Sequence, residues 1–436
     1  MAQALHNETR SQQALATDLI RDEVLLRVEP AAAIALPRAQ LIVRIEQFIA
    51  QIANERRLLL NQAEQAALTA DIVNDMIGLG PLESLLADDT VADILVNGPS
   101  RIYAERRGKL ELTPLKFRGD AHVMHIAQRI AASIGRRIDE SSPMLDARLP
   151  DGSRVNVIIA PLSVQGPCIS IRKFSRAVVD FATFVDLGTV SPPLARALEI
   201  AARCRLNIVI SGGTGSGKTT LLNALSAMIE ADQRIITIED TAELQLQQPH
   251  VLRLETRPPN IEGDGEVVQR DLVRNALRMR PDRIIVGEVR GAEAFDMMQA
   301  MNTGHNGSMS TIHANSAGDA VARLENLILM ANTSLPERAI RAQITSAVDL
   351  IVQTERMRDG VRRVTEVVEV ARMDDDQIVL NTLFSYRFIA ENPNGKLDGA
   401  FDATPTHPRF LTRLGYYGQA EAFLEALGCP PGAGAP

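Results

Sequence analysis

The 436-residue chain has few aromatic residues, three cysteines and no tryptophan. Because aromatics make up 3% of the chain, its cores must rest on aliphatic side chains, which the 45% hydrophobic fraction can supply. Cys168, Cys204 and Cys429 lie far apart without the spacing of a zinc site, which indicates reduced structural thiols in a cytosolic protein. Neither a signal peptide nor a bilayer-spanning apolar run is present, so we expect membrane contact only through partners.

The charge balance is acidic, with a formal net charge of −8 at pH 7. This balance argues against a general nucleic-acid binder, although a local basic surface stays compatible with it. We therefore expect no direct contact with nucleic acid. The length predicts two or three domains.

A glycine-rich stretch at 211–220 reads Ser-Gly-Gly-Thr-Gly-Ser-Gly-Lys-Thr-Thr and lies between an apolar strand and a helix. This is the P-loop pattern, in which glycines let backbone N–H groups turn inward around phosphate oxygens. The lysine can reach the β- and γ-phosphates, and the hydroxyl of Thr219 can bind Mg²⁺. The predicted nucleotide-binding residues are Gly212, Gly213, Thr214, Gly215, Ser216, Gly217, Lys218, Thr219 and Thr220.

Two apolar strands after this loop end in carboxylates. The strand at 235–238 runs into Glu239, Asp240 and Glu243, and the strand at 283–286 is followed by Gly287 and Glu288. An acidic cluster costs stability unless a cation or donors hold it, and a parallel sheet places such strand ends beside the phosphates. Glu288 and Glu243 are therefore candidates for orienting water or binding Mg²⁺. The alternative is a solvated acidic loop that caps the next element.

A histidine box follows at 310–316. His313 comes after a short strand and before a helix that Asn315 or Ser316 could cap. It can contact the γ-phosphate and report its loss, or it can be a hydrogen-bonding cap residue, and His305 has the same two interpretations. The P-loop pattern itself leaves hydrolase, kinase and switch functions open.

The spacing of apolar residues changes twice in the first part of the chain. Residues 1–37 predict a flexible or weakly helical lead-in, and the helical apolar spacing of 38–88 predicts a helical bundle. Residues 89–175 predict an α+β domain with two hairpins, at 101–112 and 146–159, and a helix between them.

The second part alternates strands and helices. Residues 176–193 predict a linker with a short helix, and 194–425 predict an α/β domain whose largely parallel sheet carries helices on both faces. A hairpin at 350–370, a strand at 378–380 and further helices complete that domain. A Pro/Gly/Ala-rich tail at 426–436 is expected to be disordered.

Four boxes in this order resemble the type II/type IV secretion ATPase superfamily: 212–219, 238–243, 287–288 and 310–316. Further segments resemble the CpaF-type ATPase of Tad/Flp pilus assembly, and they lie at 105–109, 135–140, 146–154, 254–260 and 300–305. The resemblance covers about 79–387. It implies an α/β fold with a RecA-like P-loop ATPase domain, preceded by an α+β domain of PAS-like shape and a small helical bundle.

The same resemblance implies a homohexamer with ATP and Mg²⁺ between subunits. Arginines of the α+β domain would reach that nucleotide, and Arg148, Arg154 and Arg172 are the candidates, with ordinary hairpin pairing as the alternative. Glu288 is the first choice as base and Glu243 the second, and both are candidate Mg²⁺ ligands. Lys218 and His313 complete the catalytic set.

The implied function is a cytoplasmic motor, peripheral at the inner membrane, that acts on the platform proteins of a Tad/Flp pilus to drive assembly and, as a variant, retraction. Two alternatives stay open. One is a secretion or DNA-transfer ATPase of the same superfamily, and the other is a nucleotide-binding regulatory ring with little hydrolysis.

Overall fold

The computed structural model describes residues 16–28, 33, 36–106, 108–174, 180–257, 259, 264–331 and 334–430. The chain divides into two compact units, Met1–Ser175 and Arg176–Pro436. Within the described residues, no helix combines the length and the apolar character that crossing a membrane requires.

The first unit begins with a helical bundle made of α1 (residues 16–27), α2 (Arg38–Arg56) and α3 (Gln62–Ile77). Helix α3 starts at a capping box, in which Asn61 and Glu64 each accept the other's backbone N–H at 2.9 Å. A short 3₁₀ turn (Gly80–Leu82) and α4 (Glu83–Ala87) follow the bundle.

Helix α1 lies within residues 1–37, for which the sequence predicts a mobile or weakly helical lead-in, and residues 16–27 take the helical alternative. Ile20, Val24 and Val28 recur every four residues and are buried with the apolar side chains of α2 and α3. This spacing places the three side chains on one helical face, which gains stability by covering the bundle. The first 15 residues lie outside the described part of the chain.

The rest of the first unit is an antiparallel sheet covered by one helix, which confirms the α+β prediction. The sheet order is β3-β2-β1-β6-β5-β4, and both predicted hairpins are present as β2–β3 and β4–β5. Helix α5 (Asp120–Ser133) buries Val123, Ile126 and Ile130 in the core beneath the sheet. The strands are β1 (Val91–Asn97), β2 (Ile102–Arg106), β3 (Lys109–Leu112), β4 (Met144–Arg148), β5 (Arg154–Ile158) and β6 (Cys168–Arg172).

The second unit is built on a nine-stranded sheet of order β15-β14-β13-β12-β7-β11-β10-β8-β9. The strands from β12 to β9 in this order are parallel, and β13, β14 and β15 add an antiparallel edge. The parallel strands are β7 (Ile208–Gly212), β8 (Ile235–Glu239), β9 (Val251–Glu255), β10 (Arg283–Val289), β11 (Met309–Ile312) and β12 (Leu350–Arg356). The antiparallel strands are β13 (Arg362–Asp374), β14 (Gln377–Glu391) and β15 (Leu397–Ala403).

Helices cover both faces of this sheet, as predicted. Neighbouring residues of β7 enter opposite cores, with Ile208 and Ile210 in one and Val209 in the other. The first core includes α6 (Phe181–Asp186), α7 (Pro192–Arg203), α8 (Lys218–Ser226), α13 (Leu411–Tyr416) and α14 (Ala420–Ala426). The second includes α9 (Gln269–Ala276), α10 (Glu293–Asn302), α11 (Ala317–Met330) and α12 (Glu337–Ala347). Burial on both faces explains the continuous apolar runs of the central strands.

Three boundaries differ from the sequence prediction. In the expected linker, Phe181 and Phe184 are buried in the first core of the second unit, so residues from 180 onward belong to that unit. Beyond residue 387, β14 continues and β15 pairs with it where helices were expected. In the expected disordered tail, Leu427 and Cys429 are buried in the same core because they pack against the last helices, while residues 431–436 lie outside the described part.

Candidate functional site

The P-loop joins β7 to α8 at the carboxyl edge of the parallel strands. Two of its positions require glycine, one for lack of space and one for its backbone conformation. A Cβ at Gly212 would lie 2.3 Å from the carbonyl oxygen of Thr354 on the neighbouring strand β12. Gly217 has φ +97°, a left-handed conformation that other residues adopt at a cost. The loop is therefore fixed in shape by its neighbour strand and by its own glycines.

Lys218 is folded into this loop and is 8% exposed. Its Nζ donates to the carbonyl oxygens of Gly212 at 2.9 Å and Gly213 at 2.8 Å. The N–H groups in the first turn of α8 lie at the same place and add partial positive charge. A cation, a helix N-terminus and a glycine loop together suit a bound polyphosphate.

His313 connects the lysine to the predicted base. Its Nε2 lies 2.9 Å from Glu288 Oε1 and 3.4 Å from Lys218 Nζ. The sheet brings the three side chains together, because β11 pairs with both β10 and β7 and all three strands end at this edge. The shorter distance favours a proton on Nε2 that is donated to the carboxylate.

Burial lowers the pKa of His313, and the charge of Lys218 lowers it further, while Glu288 acts in the opposite direction. The imidazole is therefore neutral at neutral pH. A neutral ring can donate one proton to Glu288 without neutralising that carboxylate.

Glu288 also contacts Arg290, whose Nη2 lies 2.6 Å from Oε2. Arg290 Nη1 is 3.7 Å from Asp240 Oδ2. The hydrogen bond with Glu288 raises the pKa of Arg290, and the charges of Glu288, Asp240 and Glu243 add to this effect. The ends of β8 and β10 thus place three carboxylates around one guanidinium.

Glu239, the last residue of β8, has a different role from Asp240 and Glu243, the acids that follow it. It is 3% exposed, and its Oε2 accepts the backbone N–H groups of Glu243 at 2.7 Å and Leu244 at 2.8 Å. Burial raises the pKa of Glu239, opposed by these two hydrogen bonds. A Cβ at Gly287 would lie 2.9 Å from Glu239 Cγ, so this position needs glycine. Glu239 therefore orders the segment that carries Glu243.

The two histidines lie at opposite ends of β11. His313 follows the strand at the P-loop edge, and Ser316 caps α11 by accepting the Asp319 N–H at 3.0 Å. His305 precedes the strand, and its Nδ1 is 3.3 Å from the carbonyl oxygen of Ala300. His305 is therefore outside the site formed by the P-loop.

The three candidate arginines of the first unit share one row of its sheet. Arg148 pairs with Arg154, and Arg154 pairs with Arg172 on the next strand. Directly opposed residues of antiparallel strands have side chains on the same face, so three positive charges are neighbours. Arg172 also pairs with Asp93, and its charge opposes the burial that raises the pKa of Asp93. The row thus continues from three arginines to an aspartate, and Arg148 also donates to the Gly152 carbonyl of its own hairpin at 3.3 Å.

The residues present fit a Mg²⁺ ion held mainly by a nucleotide. Within the described part of the chain, no cluster of three or more His, Cys, Asp or Glu side chains could hold a metal. Mg²⁺ at phosphates usually takes one or two protein ligands beside phosphate oxygens and water. Thr219, in the first turn of α8, has a hydroxyl that suits this role, and Glu243 and Glu288 are the other predicted ligands.

Sequence reasoning missed two residues that touch the P-loop. Thr354 Oγ1 is 3.0 Å from Ser216 Oγ, and Arg362 Nε donates to the carbonyl oxygen of Gly215 at 2.9 Å. Thr354 follows the apolar residues 350–352 near the end of β12, a position like that of the predicted acids, and this is a usable signal. Arg362 follows an ordinary Asp-Gly turn and carries no signal of its own.

Sequence comparisons show which known proteins this chain is similar to. Residues 75–383 match the family described as Type II/IV secretion system protein. A putative conjugal transfer protein of Mycobacterium tuberculosis is 38% identical over 315 residues, covering 71% of this chain and 89% of that protein. The type IV secretion system protein VirB11 of Bartonella henselae is 33% identical over 333 residues, covering 66% of this chain and 91% of that protein.

Among solved structures, the VirB11 ATPase of the Brucella suis type IV secretion system, in complex with sulphate, is 29% identical. The match has a TM-score of 0.36 and covers 68% of this chain and 96% of that one. Because the family match spans more than half of the chain and includes the P-loop, both acidic strand ends and the histidine box, the chain belongs to the type II/IV secretion system protein family.

Proposed function

We propose that this chain is an ATPase that converts hydrolysis into mechanical work. The observation that carries the proposal is the contact series from Lys218 through His313 to Glu288 at the edge of the P-loop. The lysine charge would stabilise the β- and γ-phosphates, and the carboxylate would orient the attacking water.

In the reaction, a water oxygen bonds to the γ-phosphorus while the bond between that phosphorus and the bridging oxygen of ADP breaks. The water proton passes to the Glu288 carboxylate, which later returns it to solvent or phosphate. Arg290 and His313 hold the two oxygens of this carboxylate and so fix its plane. The change in charge at the γ-phosphate would reach His313 through Lys218, and this contact is our candidate for coupling chemistry to motion.

Mg²⁺, when bound, neutralises phosphate charge and aligns the phosphate oxygens. We assign Thr219 to hold it, with Glu243 as the second choice, because each Glu288 oxygen already has one contact, with Arg290 or with His313, and its remaining acceptor capacity is assigned to the attacking water.

We further propose a homohexamer with the nucleotide between subunits. The row of Arg148, Arg154 and Arg172 supports this, because its concentrated positive charge suits the charge that develops on a transferring phosphoryl group. At least one of the three would act on a nucleotide held by a P-loop.

The test is an ATPase assay on size-fractionated protein. We expect phosphate release confined to the hexameric fraction, abolished by Lys218→Ala and strongly reduced by replacing one of the three arginines. A release rate in wild type equal to that of Lys218→Ala would instead favour a regulatory ring that binds nucleotide with little hydrolysis.

We propose that the ATPase drives assembly of a Tad/Flp pilus, with retraction as a variant, by acting on platform proteins of the inner membrane. The protein would be cytoplasmic and peripheral to that membrane. The relatives named for conjugal transfer and type IV secretion support a second candidate, a secretion or DNA-transfer ATPase. The net charge of −8 disfavours direct DNA contact in either case.

Lys218→Ala, introduced in the source organism, separates the two candidates. Loss of surface pili with unchanged DNA transfer and secretion supports the pilus motor. Loss of DNA transfer or secretion with pili intact supports the second candidate. Salt-dependent DNA binding by the purified protein would contradict the expected absence of nucleic-acid contact.

A further inference from the structure

The hairpin formed by β12 and β13 lies next to the P-loop. Strand β12 is hydrogen-bonded to β7, and Thr354 near its end contacts Ser216. In the sheet order β12-β7-β11-β10, this hairpin is on one side of β7, while the strands carrying His313 and Glu288 are on the other. The P-loop is therefore flanked by two different sets of side chains.

Arg362, the first residue of β13, lies across the middle of the loop. Its Nε donates to the Gly215 carbonyl oxygen at 2.9 Å, and its Cδ is 3.1 Å from where a Cβ of Gly217 would be. In a trans peptide the carbonyl and the following N–H point in opposite directions. The Ser216 N–H accordingly points toward the Gly213 carbonyl, 3.4 Å away, which is the carbonyl that Lys218 also contacts.

The same hairpin concentrates positive charge beside the loop. Arg356 and Arg362 are directly opposed across β12 and β13, so their side chains share a face, where like charges repel. Two further arginines of the hairpin, Arg358 and Arg363, contact Glu391 at 2.7 Å and Asp359 at 2.8 Å.

We propose that Arg362 is a positioning residue of the nucleotide site, which holds the P-loop in the shape that binds the phosphates shared by ATP and ADP. The inference rests on the proposed function and deepens it. Arg362 orients the peptide between Gly215 and Ser216, and its charge lies beside the same loop. The end with His313 and Glu288, in contrast, responds to the γ-phosphate.

This division makes a kinetic prediction. The phosphates shared by ATP and ADP are present in substrate, transition state and product. An interaction with them stabilises all three complexes equally, so its loss raises KM and leaves kcat unchanged. Loss of one charge-assisted hydrogen bond should weaken ADP binding about tenfold.

The experiment uses full-length protein, calorimetric titration with ADP and steady-state ATPase kinetics. Arg362→Ala is expected to weaken ADP binding and to raise the KM for ATP by the same factor of about ten, with kcat within about twofold. Arg362→Lys keeps the charge without the guanidinium and should recover part of the affinity. The matched control is Arg372→Ala, also on β13, whose side chain is 65% exposed and paired with Asp374.

Two results would overturn the inference. One is ADP affinity in Arg362→Ala equal to that of wild type. The other is a fall in kcat with unchanged ADP affinity, which would place Arg362 at the γ-phosphate end. If Arg362→Ala unfolds, Arg362→Gln gives the same comparison with a polar side chain. Absence of ADP binding in wild type would remove the proposed function itself, which is a distinguishable outcome.

Discussion

Replacing Glu288 with glutamine tests the proposed chemistry with a minimal change of shape. The carboxylate lies 2.9 Å from His313 Nε2 and 2.6 Å from Arg290 Nη2, and glutamine can keep an oxygen toward Arg290. It cannot accept a proton from water. A positioned general base contributes about 100- to 10,000-fold to a rate, so we expect kcat to fall by at least about 100-fold.

Nucleotide affinity should be nearly unchanged in this variant. Lys218 donates to the carbonyls of Gly212 and Gly213, and neither of these hydrogen bonds involves Glu288. We therefore expect the Kd for ATP to stay within about threefold, which is less than about 1 kcal/mol. Single-turnover phosphate release gives the rate of chemistry, and calorimetric titration gives the affinity.

Asp240→Asn is the matched control, because Asp240 is an acid of the same cluster that is 43% exposed and 3.7 Å from Arg290. Exposed pairs contribute about 0–1 kcal/mol, so its turnover should stay close to wild type. Wild-type-like turnover in Glu288→Gln would refute the role of Glu288 as base. A large loss in Asp240→Asn with little loss in Glu288→Gln would move that role to the end of β8.

Three further predictions concern the P-loop, His313 and the hairpin of β12 and β13. In Gly212→Ala the new Cβ would lie 2.3 Å from a backbone oxygen of Thr354, so the P-loop must shift and ADP binding should be lost. Gly213→Ala is the control, because its Cβ would have nothing within 4 Å, and it should keep the wild-type unfolding midpoint. An ADP affinity in Gly212→Ala equal to that of wild type would contradict this prediction. His313 is neutral at neutral pH because burial lowers its pKa below the ordinary 6.5. As the pH falls through that lowered pKa, the imidazolium forms an ion pair with Glu288, and kcat should fall. If the acid limb of the pH–kcat profile is identical in His313→Gln, the titration belongs to another group. The hydrogen bond with Arg363 lowers the pKa of Asp359 from 3.8 to about 2, so the pair stabilises the fold above pH 3.8 and this stability is lost as the pH falls toward 2. Asp359→Asn should cost about 2 kcal/mol at neutral pH and flatten this acid dependence in chemical denaturation, and an unchanged acid dependence would show that the pair does not cause it.

Much of the second unit follows from local patterns that the sequence displays. The apolar strands before the P-loop and before each acidic box are central and parallel, and such strands must be buried on both faces. Their common carboxyl edge brings Lys218, Glu288 and His313 together, and this is why motif order along the chain predicted a shared site.

Other parts depend on contacts that no local pattern shows. Helix α1 is a packed element because Ile20, Val24 and Val28 contact the bundle, although most of the residues between them are charged. In contrast, the extension of β14 and its pairing with β15 form a hairpin around the turn at 392–396, a local signal that the prediction missed because exposed residues such as Phe388 and Ile389 follow no clean alternation. The arginine row of the first unit is a product of strand register, since Arg148, Arg154 and Arg172 are separated along the chain.

The position of Arg362 shows why binding and chemistry can be separate properties of one loop. The loop is held from one side by a hairpin whose arginine contacts Gly215, and it is approached from the other by His313, which contacts Lys218. Only the second contact leads on to Glu288, the group proposed to orient water. A force that displaces β11 relative to β7 would therefore alter the contact of His313 with Lys218 and leave the contact of Arg362 with Gly215 in place. A motor needs this property, because it must keep hold of ADP or ATP while the γ-phosphate contact changes.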